Sequence, residues 1–334
     1  MNLFVRKLKQ ILVLLVAAFF CVSCTQTADL SNNPWETLEL PTEARLVDVA
    51  FTDNPDRGWL VGSQAALFET LDGGKTWQAR SLDLGDEKVS FTSVSFVGQE
   101  GWIAGKPSIL LHTTDGGTSW SRIALSAKLP GSPDQILALS PDSAEMTTDV
   151  GAIYRTTDSA RTWKALVQEA VGVVRNIARS PEGEYIAVSS RGNFYSTWKP
   201  GEKAWTPHQR NSSRRLQNMG FGDDSRRWLI ARGGQIQFTS PEDEGDWGEV
   251  QSPDAKSSWG LLDISYRTPE EIWVSGGSGN LLVSFDGGQS WQKDRAVENV
   301  PSNLYRIVFV SPQQGFILGD RGFLLKYEPQ DKAA

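Results

Sequence analysis

Short β-rich apolar runs recur along the chain, at residues 47–51, 93–97, 136–139, 173–178, 216–221, 261–266 and 304–310. A second run follows after a polar break, as in Trp59-Leu60-Val61-Gly62, Trp102-Ile103-Ala104-Gly105 and Trp273-Val274-Ser275-Gly276. Runs of this length, bounded by Gly, Asp and Ser, read as strands, and no 3.6-residue apolar period interrupts them. The pattern predicts an all-β chain.

Between these runs the chain repeats itself. Residues 70–77, 113–120 and 284–291 match S/T-x-D-x-G-x-S/T-W in full, and residues 156–163 match it with Ala160 in place of Gly. The closing Trp recurs at 77, 120, 163, 205, 247 and 291. Such boxes mark the outer hairpins of β-propeller blades. Asp accepts backbone N–H bonds inside the turn, Gly supplies a positive φ, and Trp buries its ring between blades. This assigns Asp72, Asp115, Asp158 and Asp286 a structural role. Four strands in about 43 residues is the size of one blade, and seven opening runs predict a seven-bladed β-propeller over residues 34–330. The seventh repeat stops at Tyr327 without a closing Trp, while Pro34-Trp35-Glu36-Thr37-Leu38 precedes the first opening run. The N-terminal strand is therefore expected to complete the last blade and leave no open edge.

The first 23 residues read as an export signal. Arg6, Lys7 and Lys9 precede ten apolar residues, 11–20, about half the length that a bilayer span requires. The segment ends in Val22-Ser23-Cys24, which resembles a lipoprotein box with Cys24 as the lipidated new N-terminus, although Cys21 stands where Leu is usual. Ordinary signal-peptidase cleavage, leaving Cys24 unmodified, is the alternative. Residues 24–33 read as a polar tether. A diacylglyceryl group would hold the protein to a membrane surface.

Composition removes much enzyme chemistry. Two His and two Cys, both Cys before residue 25, leave no His/Cys metal site and no Cys–His pair in the folded body. His112 and His208 are expected to be structural or solvated. A net charge of −7 argues against nucleic acid as a partner. The charge is unevenly spread: residues 175–232 carry nine Arg and two Lys against five acidic residues. The boxes have decayed in these two blades, 4 and 5.

Blade topology sorts these Arg residues. The connection into each inner strand and the hairpin between the second and third strands share one face. Arg175, Arg191, Arg210, Arg214, Arg215 and Arg232 are expected there. Arg179 is expected lower on the channel wall, and Arg226 and Arg227 on the opposite face. Arg offers a planar fork for carboxylate or phosphate, so a cluster with no general base beside it points to docking. Ordinary solvated charge is the alternative reading.

Taken together, the export signal ending in Val22-Ser23-Cys24, the seven blades, the DGG-type boxes and the Arg-rich blades 4 and 5 resemble the photosystem II assembly and stability factor family of cyanobacteria and plastids. The resemblance covers essentially the whole chain, and the lipoprotein box points to its cyanobacterial branch. It implies a lipid-anchored, monomeric, non-enzymatic protein on the lumenal side of the thylakoid membrane (the periplasmic side where there is no thylakoid). It also implies binding of the newly made precursor of a photosystem II reaction-centre core subunit and of early reaction-centre complexes. Association with the membrane insertase and with chlorophyll delivery is implied too, with no resident cofactor beyond transient chlorophyll. The family's Arg patch carries over onto Arg175, Arg179, Arg191, Arg214, Arg215 and Arg232. Two other classes remain open. One is a sialidase-like glycosidase using Tyr266 or Tyr305, although Arg45-Leu46-Val47 is the closest piece to that family's first-blade motif. The other is an exported propeller scaffold for unrelated partners.

Overall fold

The seven apolar runs fold as the inner strands of seven antiparallel sheets: Leu46–Phe51, Ser90–Val97, Pro133–Ser140, Val174–Arg179, Leu216–Phe221, Leu261–Tyr266 and Leu304–Ser311. The computed structural model describes residues 33–329, except 211, 241–244, 254–259 and 298–299. The export signal, Cys24 and all but the last tether residue lie outside the described residues. Among the described residues the one helical element is a single 3-10 turn, Gly277–Gly279. The result is a seven-bladed β-propeller, blades numbered here in chain order.

Each blade is a meander, so alternate hairpins fall on opposite faces. Hairpins one and three share one face, and in four blades they are bonded together. Gly73 N donates to Asp56 O at 2.9 Å, Gly116 N to Gln99 O at 2.8 Å, Ser159 N to Asp142 O at 3.0 Å and Gly287 N to Glu270 O at 2.9 Å. Blade 5 differs from the expected four strands. Among the described residues its sheet has three, with the bridges Ile236–Gln251 and Thr239–Trp247 where the fourth is expected. The box that would set that outer hairpin is missing from its sequence.

In the boxes themselves, one Asp organises the turn. The Thr70 hydroxyl donates to Asp72 Oδ1 at 2.8 Å, Thr76 N donates to the same oxygen at 2.9 Å, and the Thr76 hydroxyl donates to Oδ2 at 2.6 Å. Asp115, Asp158 and Asp286 repeat the arrangement. Blade 3 keeps the turn without Gly, with Ser159 at φ 54° and Ala160 at φ 64°. Each closing Trp then reaches the preceding blade. Trp77 packs on Phe316, Trp120 on Trp59, Trp163 on Trp102 and Trp291 on Phe238. Trp205 Nε1 donates to Gly151 O and Trp247 Nε1 to Tyr195 Oη. The apolar core accordingly lies between blades, for example Leu60 and Phe68 against Phe316 and Leu324.

At the axis, the blades are joined by polar side chains. All seven inner strands carry a bulge near their start, after the second paired residue in blade 2 and after the first in the others, and the residue just beyond it lines the channel: Asp48, Ser93, Gln135, Asn176, Asn218, Asp263 and Arg306. Each one reaches the next blade. Asp48 Oδ2 accepts from Val94 N and Ser93 Oγ, both at 3.0 Å, and Ser93 Oγ lies 3.3 Å from Ile136 O. Gln135 Nε2 donates to Ile177 O at 2.7 Å, and Asn176 Oδ1 accepts from Met219 N at 3.4 Å. Asn218 Nδ2 donates to Leu262 O at 2.9 Å, and Asp263 Oδ2 accepts from Ile307 N at 2.9 Å. Arg306 meets Asp48 Oδ1 at 3.2 Å and closes the circle.

The outer closure is made by Trp35–Glu39, which pairs antiparallel with Phe323–Tyr327 in blade 7. Trp35 is 4% exposed and sits edge-on to Trp273 of blade 6, with ring centroids 5.3 Å apart, and against Phe309 and Tyr327 of its own blade. Trp35→Ala is expected to cost about 3–5 kcal/mol through the lost ring and the cavity left behind. Chemical denaturation reads this directly. An unchanged midpoint would show that the strand contributes little to the ring.

The belt also makes stability depend on pH. Burial pushes the Asp263 carboxyl up to about 6, and the Ile307 and Ile264 N–H groups, Arg306 and Asn218 offset it only in part. Its folded pKa lies above the unfolded value of roughly 3.9. The folded state therefore binds the extra proton, and stability falls as pH rises from about 4 through about 6. Asp263→Asn should remove that fall, gaining on the order of 2 kcal/mol over wild type between pH 4 and pH 7. Melting curves of both proteins across this range check it; parallel curves would exclude it.

Candidate functional site

Blades 4 and 5 bring their loops together through the backbone. Leu216 N, at the start of the blade 5 inner strand, donates to Gly192 O in the second hairpin of blade 4 at 2.7 Å. Gly192 sits at φ 69°, and a Cβ there would collide with the carbonyl of Leu216, so the approach requires glycine. Arg191 is thereby held beside the loop that carries Arg214 and Arg215. Within blade 5, Arg232 N donates to Arg215 O at 2.8 Å, and Arg214 Nη1 donates to Arg232 O at 3.2 Å. Arg214, Arg215 and Arg232 line one shallow depression with Ser213 and Gly233.

Arg175 occupies the bulge position of its inner strand, where its side chain is exposed. Its guanidinium donates to Gln217 Oε1, at the matching bulge of blade 5, and to Ser190 O, both at 2.9 Å. Arg175, Arg191, Arg214, Arg215 and Arg232 are all exposed. None of the five forms an ion pair with a described residue. Five positive charges without a counter-charge among the described residues therefore share one face of two adjacent blades.

Arg210 is half-buried beneath this surface. It donates to Arg214 O at 3.1 Å and Gln237 Oε1 at 3.2 Å, and burial lowers its pKa. It supports the loop more than it presents charge.

Arg179 does not join the face. It lines the channel, and its Nε donates to Glu145 Oε2 at 2.7 Å with the side chain 14% exposed. Glu145 also accepts from Arg155 and from the Tyr185 hydroxyl. Burial pushes Glu145 up, but these donors together bring it below the ordinary carboxylate range, so the Arg179 charge is neutralised in place. The reason lies outside its own strand, on blade 3, where no comparison of inner strands would find it.

Arg226 and Arg227 lie on the opposite face, as the topology requires. Arg226 pairs with Asp224 at 2.5 Å and donates to Gly287 O in the blade 6 box at 2.7 Å. Arg227 is buried and meets Glu184 at 2.5 Å. The two histidines have structural partners: His112 stacks on Trp102 and meets Glu100, and His208 stacks on Tyr195 and meets Thr197. Tyr305 receives Arg45 over its ring and donates to Asp320 at 3.0 Å, while Tyr266 is buried.

One feature of the face escaped the pattern reading. Val173, expected within the inner strand, precedes it and is 63% exposed. It borders a cleft shared with Val171, Ser190, Arg191 and Phe194. The signal was present as the apolar Val171-Gly172-Val173-Val174, but a run of that kind reads as strand until the bulge is known. The face thus offers an apolar step beside its charges.

Comparison with known proteins agrees with this architecture along nearly the whole chain. The model of the family described as photosynthesis system II assembly factor YCF48 matches residues 27–328. The photosystem II assembly lipoprotein Ycf48 of Trichormus variabilis is 60% identical over 326 residues, covering 98% of this chain and 96% of that protein. Its counterpart in Synechocystis is 59% identical over 328 residues, covering 98% and 96%. A solved structure described as YCF48 bound to D1 peptide superposes with a TM-score of 0.87 at 57% identity, covering 90% of this chain and 98% of that one. YCF48 from Cyanidioschyzon merolae gives a TM-score of 0.82 at 39% identity, covering 89% and 99%. The chain belongs to the Ycf48 family of photosystem II assembly factors.

Proposed function

We propose that this protein is a non-enzymatic assembly factor whose Arg face grips a carboxylate-bearing segment of a newly made photosystem II reaction-centre core subunit. The observation that carries the reading is the set of five exposed, unpaired Arg side chains on blades 4 and 5. A similar protein solved with a D1 peptide supports the class of partner. Arg forks recognise carboxylates in a bidentate manner, and the Val173 cleft accepts an apolar side chain beside them. Early reaction-centre complexes are the setting in which such a segment is newly exposed. The reading needs no resident cofactor.

Attachment follows from Cys24. Relatives of high identity carry the name lipoprotein, and the same chemistry here would hold the protein to the lumenal surface of the thylakoid membrane. Cys24→Ala should then move the protein from the membrane to the soluble fraction. Intact mass decides: a wild-type mature N-terminus without acyl groups would refute the anchor.

Reversing Arg214→Glu with Arg215→Glu should reduce co-purification of reaction-centre subunits at least tenfold, because like charges then face each other across the contact. Added salt should weaken wild-type binding as well. The control must leave buried pairs intact, which rules out Arg227. Arg161→Glu with Lys164→Glu changes the charge equally at two exposed positions, in and just after the blade 3 box. Equal loss in both double mutants would mean that bulk charge, not the face, governs binding.

A further inference from the structure

Five large apolar side chains are exposed among the described residues, and three of them lie on the box face: Leu71 at 59%, Val310 at 39% and Phe285 at 36%. They belong to blades 1, 7 and 6, which are consecutive in the ring. Leu71 and Phe285 hold the same place, the second residue of the box, where blades 2 and 3 carry Thr114 and Thr157. The flanking hydroxyls and Asp fix the turn from within, so the side chain of that second residue points outward. An apolar residue there meets whatever lies outside.

These three blades surround the point where the described chain begins. Trp35 pairs with Tyr327 at the box-face end of blade 7, and Glu328 N donates to Pro34 O at 2.7 Å. Blade 7 thus has the N-terminal segment where its neighbours have boxes. The surface is one bonded unit. Gln314 Nε2 donates to Pro55 O at 3.3 Å and to Gly73 O at 3.2 Å, joining blade 7 to blade 1, and Arg267 Nη1 donates to Pro312 O at 3.2 Å, joining blade 6 to blade 7. From Pro34 back to Cys24 is ten residues, a reach of about 35 Å at full extension.

We propose that the box ends of blades 6, 7 and 1 are a membrane-contact surface, with Leu71, Phe285 and Val310 entering the interfacial layer of the leaflet that holds the anchor. The inference rests on lipidation of Cys24. Acyl chains confine the propeller near the bilayer, and a tethered body needs only a small apolar area to settle on one side. The Arg face, on the other side of the ring and across the channel, then points away from the lipid. The segment it grips must stand clear of the bilayer by at least the length of a blade strand, roughly 20 Å.

The test uses the lipidated full-length protein in phosphatidylcholine–phosphatidylglycerol vesicles. After signal removal Cys24 is the only cysteine, so one introduced thiol at a time can carry a nitrobenzoxadiazole label: L71C, F285C, R191C or R232C. Labels at 71 and 285 should at least double in emission, shift to the blue and be quenched by doxyl lipids, while labels at 191 and 232 should not. Quenching on the Arg face, equal quenching on both faces, no quenching at 71 and 285, or an unacylated Cys24 by mass would each overturn the proposal. Leu71→Ser with Phe285→Ser should stay on vesicles through the acyl chains, lose the shift of a label at 310 (V310C), and still co-purify reaction-centre subunits. That last readout separates the membrane surface from the docking reading, which is tested through Arg214 and Arg215.

Discussion

Everything in this molecule hangs on the polar belt around its axis. Seven wedge-shaped sheets packed only by apolar faces would slide along one another, since hydrophobic contact has no direction. The belt supplies direction. At one height in every blade, a bulge turns a polar side chain toward the next blade, and its bond fixes the register between neighbours. The last of these links is ionic, Arg306 to Asp48, and joins the final blade to the first. Polar groups of this kind, buried at Asp48 and Ser93 and half-buried at the other five positions, cost stability when unpaired and confer a unique arrangement when every partner is in place.

With register fixed at the axis, the rim is held by other means. Closing Trp rings pin each box to the preceding blade, and one five-residue strand closes the outer edge. The loops of the Arg face then need carry neither boxes nor closing Trp. Blades 4 and 5 show what that permits: their boxes are gone, blade 5 keeps only bridges at its outer edge, and their loops hold five Arg without counter-charge. Three less exposed Arg of the same two blades, Arg179, Arg226 and Arg227, each meet a carboxylate. Unpaired charge is tolerated only where water or a partner can solvate it.

The sequence made some of this visible and hid the rest for physical reasons. Boxes repeat because one turn geometry demands one set of residue types, so seven blades and the closing strand could be counted. The belt does not repeat by type: Asp, Ser, Gln, Asn, Asn, Asp and Arg each satisfy the need to reach one backbone group. Only their spacing of about 43 residues betrays them, and spacing without identity is a weak signal. The Arg residues could be sorted by face from topology alone. Their partners could not, because Glu145 and Glu184 lie in other blades than the Arg they neutralise. Val173 was misread for a related reason, since strand onset depends on a bulge that apolar patterning does not encode.

In the proposed lipid-anchored form, closure and attachment are carried by the same few residues. The tether runs directly into Trp35–Glu39, so any pull on a lipidated Cys24 is delivered to the strand that completes the ring. That strand is paired along its length with Phe323–Tyr327, and Trp35 is clamped between blades 6 and 7. Force along a strand loads its ladder bonds together, and the buried Trp adds a knob that must leave its socket before the strand can slip. The described chain thus enters the propeller at an outer strand, at the box-face end of blade 7. A chain entering through an inner strand would have to cross the face where Arg175, Arg191, Arg214, Arg215 and Arg232 meet. Propeller topology therefore puts the start of the closing strand and the Arg-bearing loops on opposite faces of the ring.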